Sequence, residues 1–194
     1  PEKATKKAED IVRMAVARAT WLRPQEEPEL DIKDTALVIG GGIAGMQAAL
    51  DIADAGFRVT LVERAESLGG HVAHLNRTFP TLESTADLLR PFLERVGGHP
   101  RIRVLTGAEV TEISGYVGNF LARIRQGAEL VEVPVGAIVV ATGFELFDPR
   151  RRPELAYGAY PEVITTAEFE RLSGGELKVN GRVPRRVVFI HCVG

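Results

Sequence analysis

Cysteine is nearly absent from this sequence: Cys192 is the only one in 194 residues. One thiol closes no internal disulfide. It also supplies neither a zinc site nor the set of thiolates that an iron–sulfur cluster usually takes. Long apolar runs are missing too. None approaches the ~20 residues that span a bilayer, so no transmembrane segment is expected. The first ten residues, PEKATKKAED, are charged and lack an apolar centre, which argues against a secretory leader. There is no excess of one charge: 24 Lys+Arg stand against 26 Asp+Glu, a formal net charge of −2. A nucleic-acid binder usually carries a basic field, so that class is not expected. Internal repeats and low-complexity tracts are also missing. A chain that is 45% hydrophobic and 26% charged is globular rather than disordered. A reducing cytoplasm suits this composition.

Glycine is abundant, at 20 residues of 194, and its placement is informative. Gly40-Gly41-Gly42-Ile43-Ala44-Gly45 is a full G-x-G-x-x-G. The apolar run 36–40 before it reads as a buried strand. Residues 43–56 read as a helix ending at Gly56, and 58–63 as a second strand. In such a β-α-β unit the first glycine permits the tight turn, and the second lets main chain approach a pyrophosphate. The third lets helix and sheet pack closely. The helix N-terminus offers free N–H groups to the phosphates. Glu63 closes the second strand 18 residues after Gly45, near the ~20 expected for an acid that binds ribose hydroxyls. An ordinary βα turn with a surface glutamate is the alternative, and the complete context disfavours it.

Elsewhere the pattern predicts an N-terminal helix over 3–23, with one apolar stripe through Ala8, Ile11, Val12, Ala15, Ala19 and Leu22. Its basic face is read as solvated. Pro24 to Glu29 form a polar linker. A glycine-bearing loop covers 65–81, and a helix kinked or divided by Pro91 covers 83–96. A strand at 102–105 leads to a three-stranded meander near 109–114, 119–125 and 129–134, with Gly115 and Gly118 in one turn. Residues 136–140 return as a buried strand ending at Ala141-Thr142-Gly143. Thr165-Thr166-Ala167-Glu168 fits a capping box that opens a short helix. Residues 187–190 read as a buried parallel strand opening a further α/β unit. The sequence is therefore expected to be part of a longer chain, with a naturally short protein as the alternative.

Three features favour a flavin over a nicotinamide. Ser67-Leu68-Gly69-Gly70-His71 supplies a second glycine pair directly after Glu63. A meander, rather than a repeated β-α-β unit, connects to the last strand. Small residues at Ala141 to Gly143 leave room at the carboxyl end of the sheet, where ligands bind in open α/β folds.

This set resembles the FAD domain of glutathione-reductase-like flavoproteins, over about residues 35–145. More specifically, the chain resembles the A subunit of heterodisulfide reductase. That likeness is carried by DIVRMAVA at 10–17, VIGGGIAGMQAALDIADAG at 38–56, TFPTL at 78–82, SGYVGNF at 114–120 and FIHCVG at 189–194. The resemblance implies an α/β, Rossmann-like FAD-binding domain with a parallel sheet, an antiparallel β-meander and an N-terminal helical arm. It divides the chain into an arm and linker at 1–34, the FAD-binding domain at 35–184, and the first strand of a second nucleotide-fold domain at 185–194. It implies that Gly40, Gly42 and Gly45 hold the pyrophosphate and that Glu63 lies at the adenosine ribose; Ile43, Ala44 and Arg64 are also expected to contact the cofactor. Gly69 and Gly70 would lie near the flavin side, Val110 would offer main-chain contacts to adenine, and Ala141, Thr142 and Gly143 would line the cofactor. The family passes electrons between a two-electron donor or acceptor and iron–sulfur clusters, so the partners implied are other subunits of an electron-transfer complex. A homodimer is compatible with this picture.

Family members commonly carry cluster-ligating cysteines just after the TFPT segment. Leu82 to Asp87 contain none, so any clusters are expected elsewhere in the parent chain or complex. Two other functions stay open: a flavin-dependent NAD(P)H oxidoreductase, and a non-catalytic Rossmann-like assembly module. His71 and His74 form an H-x-x-H without further obvious ligands, so no metal site is expected. His71 either contacts flavin or phosphate or is a plain loop residue. His99 is expected to be solvated, and Cys192 to be packed at the end of a buried strand. Arg150-Arg151-Arg152 is read as a solvated loop or as a docking point for an acidic partner. No side chain is nominated as a general acid or base.

Overall fold

The computed structural model describes residues 2–24 and 29–193. The chain divides into two compact units, residues 1–30 and 31–194. In the first, helix α1 spans Glu2–Ala19, and every residue of it is exposed. It ends earlier than the apolar stripe suggests. The main-chain N–H groups of Trp21 and Leu22 bond three residues back, to Arg18 and Ala19, so the last turn tightens. The Thr20 hydroxyl donates to the Ala17 carbonyl at 2.7 Å, a local bond that competes with helix continuation. Leu22 lies outside the helix. Part of the expected linker, residues 25–28, lies outside the described residues.

The second unit is built on a four-stranded parallel sheet. Strands β1 (Thr35–Ile39), β2 (Arg58–Val62), β3 (Ile102–Leu105) and β7 (Ala137–Val140) stand in the order β3-β2-β1-β7. Val38 pairs with Leu61 on one side and Val139 on the other. Strand residues alternate between faces, and the core follows that alternation. Val38 and Leu61 pack with Met46, Ala49 and Leu50 of helix α2 (Ile43–Asp54) and with Leu89 and Val96 of helix α3 (Thr85–Gly98). Leu37 and Val62 point the other way. They pack against Ala122, Ile124 and Val135 of a second, antiparallel sheet. That sheet comprises β4 (Ala108–Tyr116), β5 (Asn119–Gln126) and β6 (Glu129–Val135) in the order β4-β5-β6. Helices thus cover one face of the parallel sheet and the meander covers the other. Buried apolar area of this kind is the main favourable term in folding.

Some details depart from the pattern. Pro91 does not divide α3; it is exposed, so the carbonyl it leaves unpaired can be hydrated. Gly115 lies within β4 rather than in the turn. A Cβ there would stand 2.2 Å from the Asn119 carbonyl oxygen. Gly136 lets the chain cross from one sheet to the other, because a Cβ would meet the Lys33 carbonyl oxygen at 2.1 Å.

After β7 come two short 3-10 turns and helix α4 (Thr166–Leu172), which carries the expected capping box. Residues 187–190 do not form the expected strand. No ladder partner stands beside them among the described residues, and Val188 is 83% exposed. Cys192 is likewise exposed, in a left-handed backbone conformation (φ 58°), rather than packed. No helix among the described residues is long and apolar enough to cross a membrane.

Candidate functional site

Three loops meet at the carboxyl ends of β1, β2 and β7. The first is the glycine turn between β1 and α2. Gly40 has φ +108°, and a Cβ on it would stand 2.3 Å from the Ala141 carbonyl oxygen. A Cβ on Gly45 would stand 1.8 Å from the Gly40 carbonyl oxygen. These two glycines are therefore required by the protein's own packing. Gly42 is different. It caps α2 with φ −71° and ψ 179°, backbone that any residue adopts, and nothing lies within 4 Å of the Cβ position. The protein alone does not require glycine there, whereas a phosphate lying against the turn does. Ile43 and Ala44 follow in the first turn of α2. That turn holds no acidic residue of its own and no side-chain cap, so its N–H groups have no side-chain partner within the helix.

Glu63 follows β2, and its carboxylate is already engaged. Oε2 accepts from the Gly41 main-chain N–H at 2.6 Å, and Oε1 accepts from the Ala65 N–H at 2.7 Å. Each oxygen keeps a further lone pair, so the carboxylate can take ribose hydroxyls while holding the turn in shape. Gly41 is a site residue that the motif reading missed, because the motif leaves its position open. A Cβ there would meet Leu68 Cδ2 at 2.4 Å and Glu63 Cβ at 2.9 Å. The run of three glycines was the available signal. Arg64 is exposed and makes no ion pair among the described residues.

The second loop lies directly on the first. The Gly69 N–H donates to the Gly41 carbonyl at 2.8 Å, and Gly42 and Gly69 form an isolated parallel bridge. Gly70 (φ +55°) sits so close that a Cβ would be 3.0 Å from Gly42 Cα. The glycine pair thus brings this loop against the glycine turn. The third loop begins where the Ala141 N–H donates to the Ile39 carbonyl at 2.8 Å. Thr142 and Gly143 are exposed. His71 joins loops two and three: its Nε2 is 2.6 Å from the Phe144 carbonyl oxygen, and the two rings stack at 4.5 Å with an interplanar angle of 22°. Phe144 was not foreseen, since nothing local marks a partner 73 residues away.

Val110 is not on these loops. It pairs with Ile124 in the meander, next to a bulge before Glu112, and its side chain packs with the second core cluster. The meander does start beside the site: the Ala108 N–H donates to the Glu63 carbonyl at 3.0 Å.

His99 is not solvated as expected. Its side chain is 17% exposed and its Nε2 lies 3.3 Å from Asp54 Oδ1. The arginine cluster is engaged locally: Arg150 lies over the Tyr157 ring, Arg151 over Phe147, and Arg152 pairs with Glu154 at 2.5 Å. A separate concavity of about 760 Å³ is lined largely by apolar residues such as Phe147, Ile164, Phe169 and Phe189, and includes none of the cradle residues.

A sequence model described as pyridine nucleotide-disulphide oxidoreductase matches residues 34–190. The chain belongs to that family. Among its relatives, the iron-sulfur A 2 subunit of CoB–CoM heterodisulfide reductase from Methanopyrus kandleri is 36% identical, covering all of this chain and 42% of the relative. The A subunit of H2:CoB–CoM heterodisulfide,ferredoxin reductase from Methanothermobacter marburgensis is 34% identical with the same coverage. The chain thus spans less than half the length of these relatives. Among solved structures the likeness is one of fold. Thioredoxin reductase from T. acidophilum superposes with a TM-score of 0.50 at 22% identity, over 62% of this chain and 38% of that one.

Iron–sulfur ligation does not fit the donors of this chain. Cys192 is the sole cysteine, and the segment after TFPT is closed by hydrogen bonds instead. Thr85 Oγ1 donates to the Leu75 carbonyl at 2.5 Å, Arg77 Nη1 donates to the Leu82 carbonyl at 2.7 Å, and Ser84 caps α3.

Proposed function

We propose that this chain is the FAD-holding part of an electron-transfer oxidoreductase of the heterodisulfide reductase A type. The observation that carries the reading is Gly42, a glycine with no steric need for being one, standing at a helix N-terminus that no side chain caps. In this reading Gly42 and the N–H groups of Ile43, Ala44 and Gly45 hold the pyrophosphate. Glu63 binds ribose hydroxyls, with Arg64 beside it. Gly69 to His71 and Ala141 to Gly143 flank the flavin side. Val110 contributes through the main chain of β4, which starts beside Glu63. Bound FAD takes up electrons in pairs and can release them singly. The chain's own residues bind and orient it and supply no acid or base.

The meander between β3 and β7 favours FAD over a nicotinamide, since it replaces a second β-α-β half. The relatives are named as subunits, which supports other subunits of an electron-transfer complex as partners. Nothing among the described residues argues for a homodimer. Clusters, if the complex uses them, belong to sequence outside these 194 residues. A second reading, a flavin-dependent NAD(P)H oxidoreductase, draws support from the description of the family itself.

The test is the visible spectrum of the purified protein, followed by release and identification of the cofactor. Stoichiometric FAD is the expected result. A colourless protein that refuses added FAD overturns the reading and leaves an assembly module. Anaerobic NADH or NADPH then separates the two oxidoreductases: bleaching of the flavin favours the second, and no bleaching favours the first.

A further inference from the structure

The three loops of the cradle are joined by three kinds of link. Loops one and two are joined through main chain, by the Gly69–Gly41 hydrogen bond and the Gly42–Gly69 bridge. Loops one and three are joined by the contact of Gly40 with the Ala141 carbonyl and by the continuation of the β1–β7 ladder. Loops two and three are joined by one side chain, His71, on Phe144. A carbonyl oxygen only accepts, so His71 Nε2 carries the proton in this bond. Both residues are exposed, Phe144 at 67%. Each is preceded by a glycine with positive φ, Gly70 at +55° and Gly143 at +71°, and nothing lies within 4 Å of the Cβ position of Gly143. The first two links lie in main chain at the glycine turn and at the end of the parallel sheet, whereas the third is a side-chain contact that can open about Gly143 as a hinge.

We propose that His71 is a positioning residue that acts through Phe144, holding the 141–144 loop closed across the crevice and setting the rate at which FAD enters and leaves. The proposal rests on the reading of the crevice as an FAD site. A clasp must open for entry and for exit alike, so removing it raises both rates. A side chain that touches the cofactor directly changes the exit rate alone.

The experiment is stopped-flow quenching of flavin fluorescence with the wild-type protein and three variants, with circular dichroism to confirm folding. His71→Ala, which loses the hydrogen bond and the stack, is expected to raise association and dissociation rates together by about tenfold, leaving Kd nearly unchanged. Phe144→Leu keeps the carbonyl acceptor and loses the ring, so both rates rise by about threefold. Phe144→Tyr keeps the ring and restores wild-type rates. A rise in dissociation alone overturns the clasp in favour of direct contact, and unchanged rates overturn it in favour of a plain loop. If the wild-type protein binds no FAD at all, both the site reading and the clasp fall. If it binds FAD and only the variants disagree, the clasp alone falls.

Discussion

At the residue scale, the cradle divides its glycines by cause. Gly45 is fixed by packing: a Cβ would stand 1.8 Å from the Gly40 carbonyl oxygen, and main chain cannot yield as a flexible side chain can. Gly45→Ala is expected to cost about 2 kcal/mol or more in urea denaturation. Glu63 serves the fold directly. It accepts the N–H of Gly41, and Glu63→Ala leaves that donor orphaned. The expected loss is about 1–3 kcal/mol by the same measurement, with Glu63→Gln recovering part of it. The sequence spacing places Glu63 at the end of the second strand and predicts a ribose ligand there, whereas its bond to Gly41 had no local sign. The same holds for Phe144. The positions of the glycine turn and of Glu63 could be read in advance from motif and spacing, whereas contacts between distant loops could not.

At the scale of elements, local chemistry was the legible part. The Thr165–Glu168 box is a four-residue pattern, and it closes in the structure: the Glu168 N–H donates to Thr165 Oγ1 at 3.1 Å, and Glu168 Oε2 accepts the Thr165 N–H at 2.7 Å. Thr165→Ala is expected to lower stability by about 1 kcal/mol. The box also carries a pH dependence. Burial opposes ionisation of Glu168, but hydrogen bonds from Thr165 main chain and side chain and from the Tyr157 hydroxyl outweigh it, and hold its carboxyl below the ordinary value. Such a group stabilises the fold above its ordinary pKa, and the contribution is lost as pH falls through the lowered value. Thermal melts of wild-type and Glu168→Gln protein should differ most near neutrality and converge as pH falls through the lowered value of Glu168. Parallel melts at all pH values would contradict this assignment. The run 187–190 marks the opposite limit. Its β-branched composition states a preference, but a strand needs a neighbour to pair with. The expected end of α1 failed for a related reason, since the apolar stripe continues past the point where the Thr20 hydroxyl and the tightened turn end the helix.

At the scale of the whole molecule, the three layers follow from alternation in single strands. Leu37 and Val38 are neighbours in sequence and serve opposite cores, one under the meander and one under the helices. That arrangement leaves the carboxyl edge of the sheet, with its three loops, for a ligand. Binding there should stabilise the fold by mass action: at free FAD about a hundredfold above Kd, by about 2.7 kcal/mol, seen as a rise in Tm.

We infer that the glycine turn cradles the pyrophosphate of FAD, and Gly42 isolates that role, because the fold itself has room for a side chain at that position. The decisive measurement is an FAD titration of wild-type and Gly42→Val protein, with unfolding curves recorded beside it. Stoichiometric binding by the wild type, and none by a variant that still unfolds cooperatively, is the predicted result. Equal binding by both would contradict the placement of the cofactor.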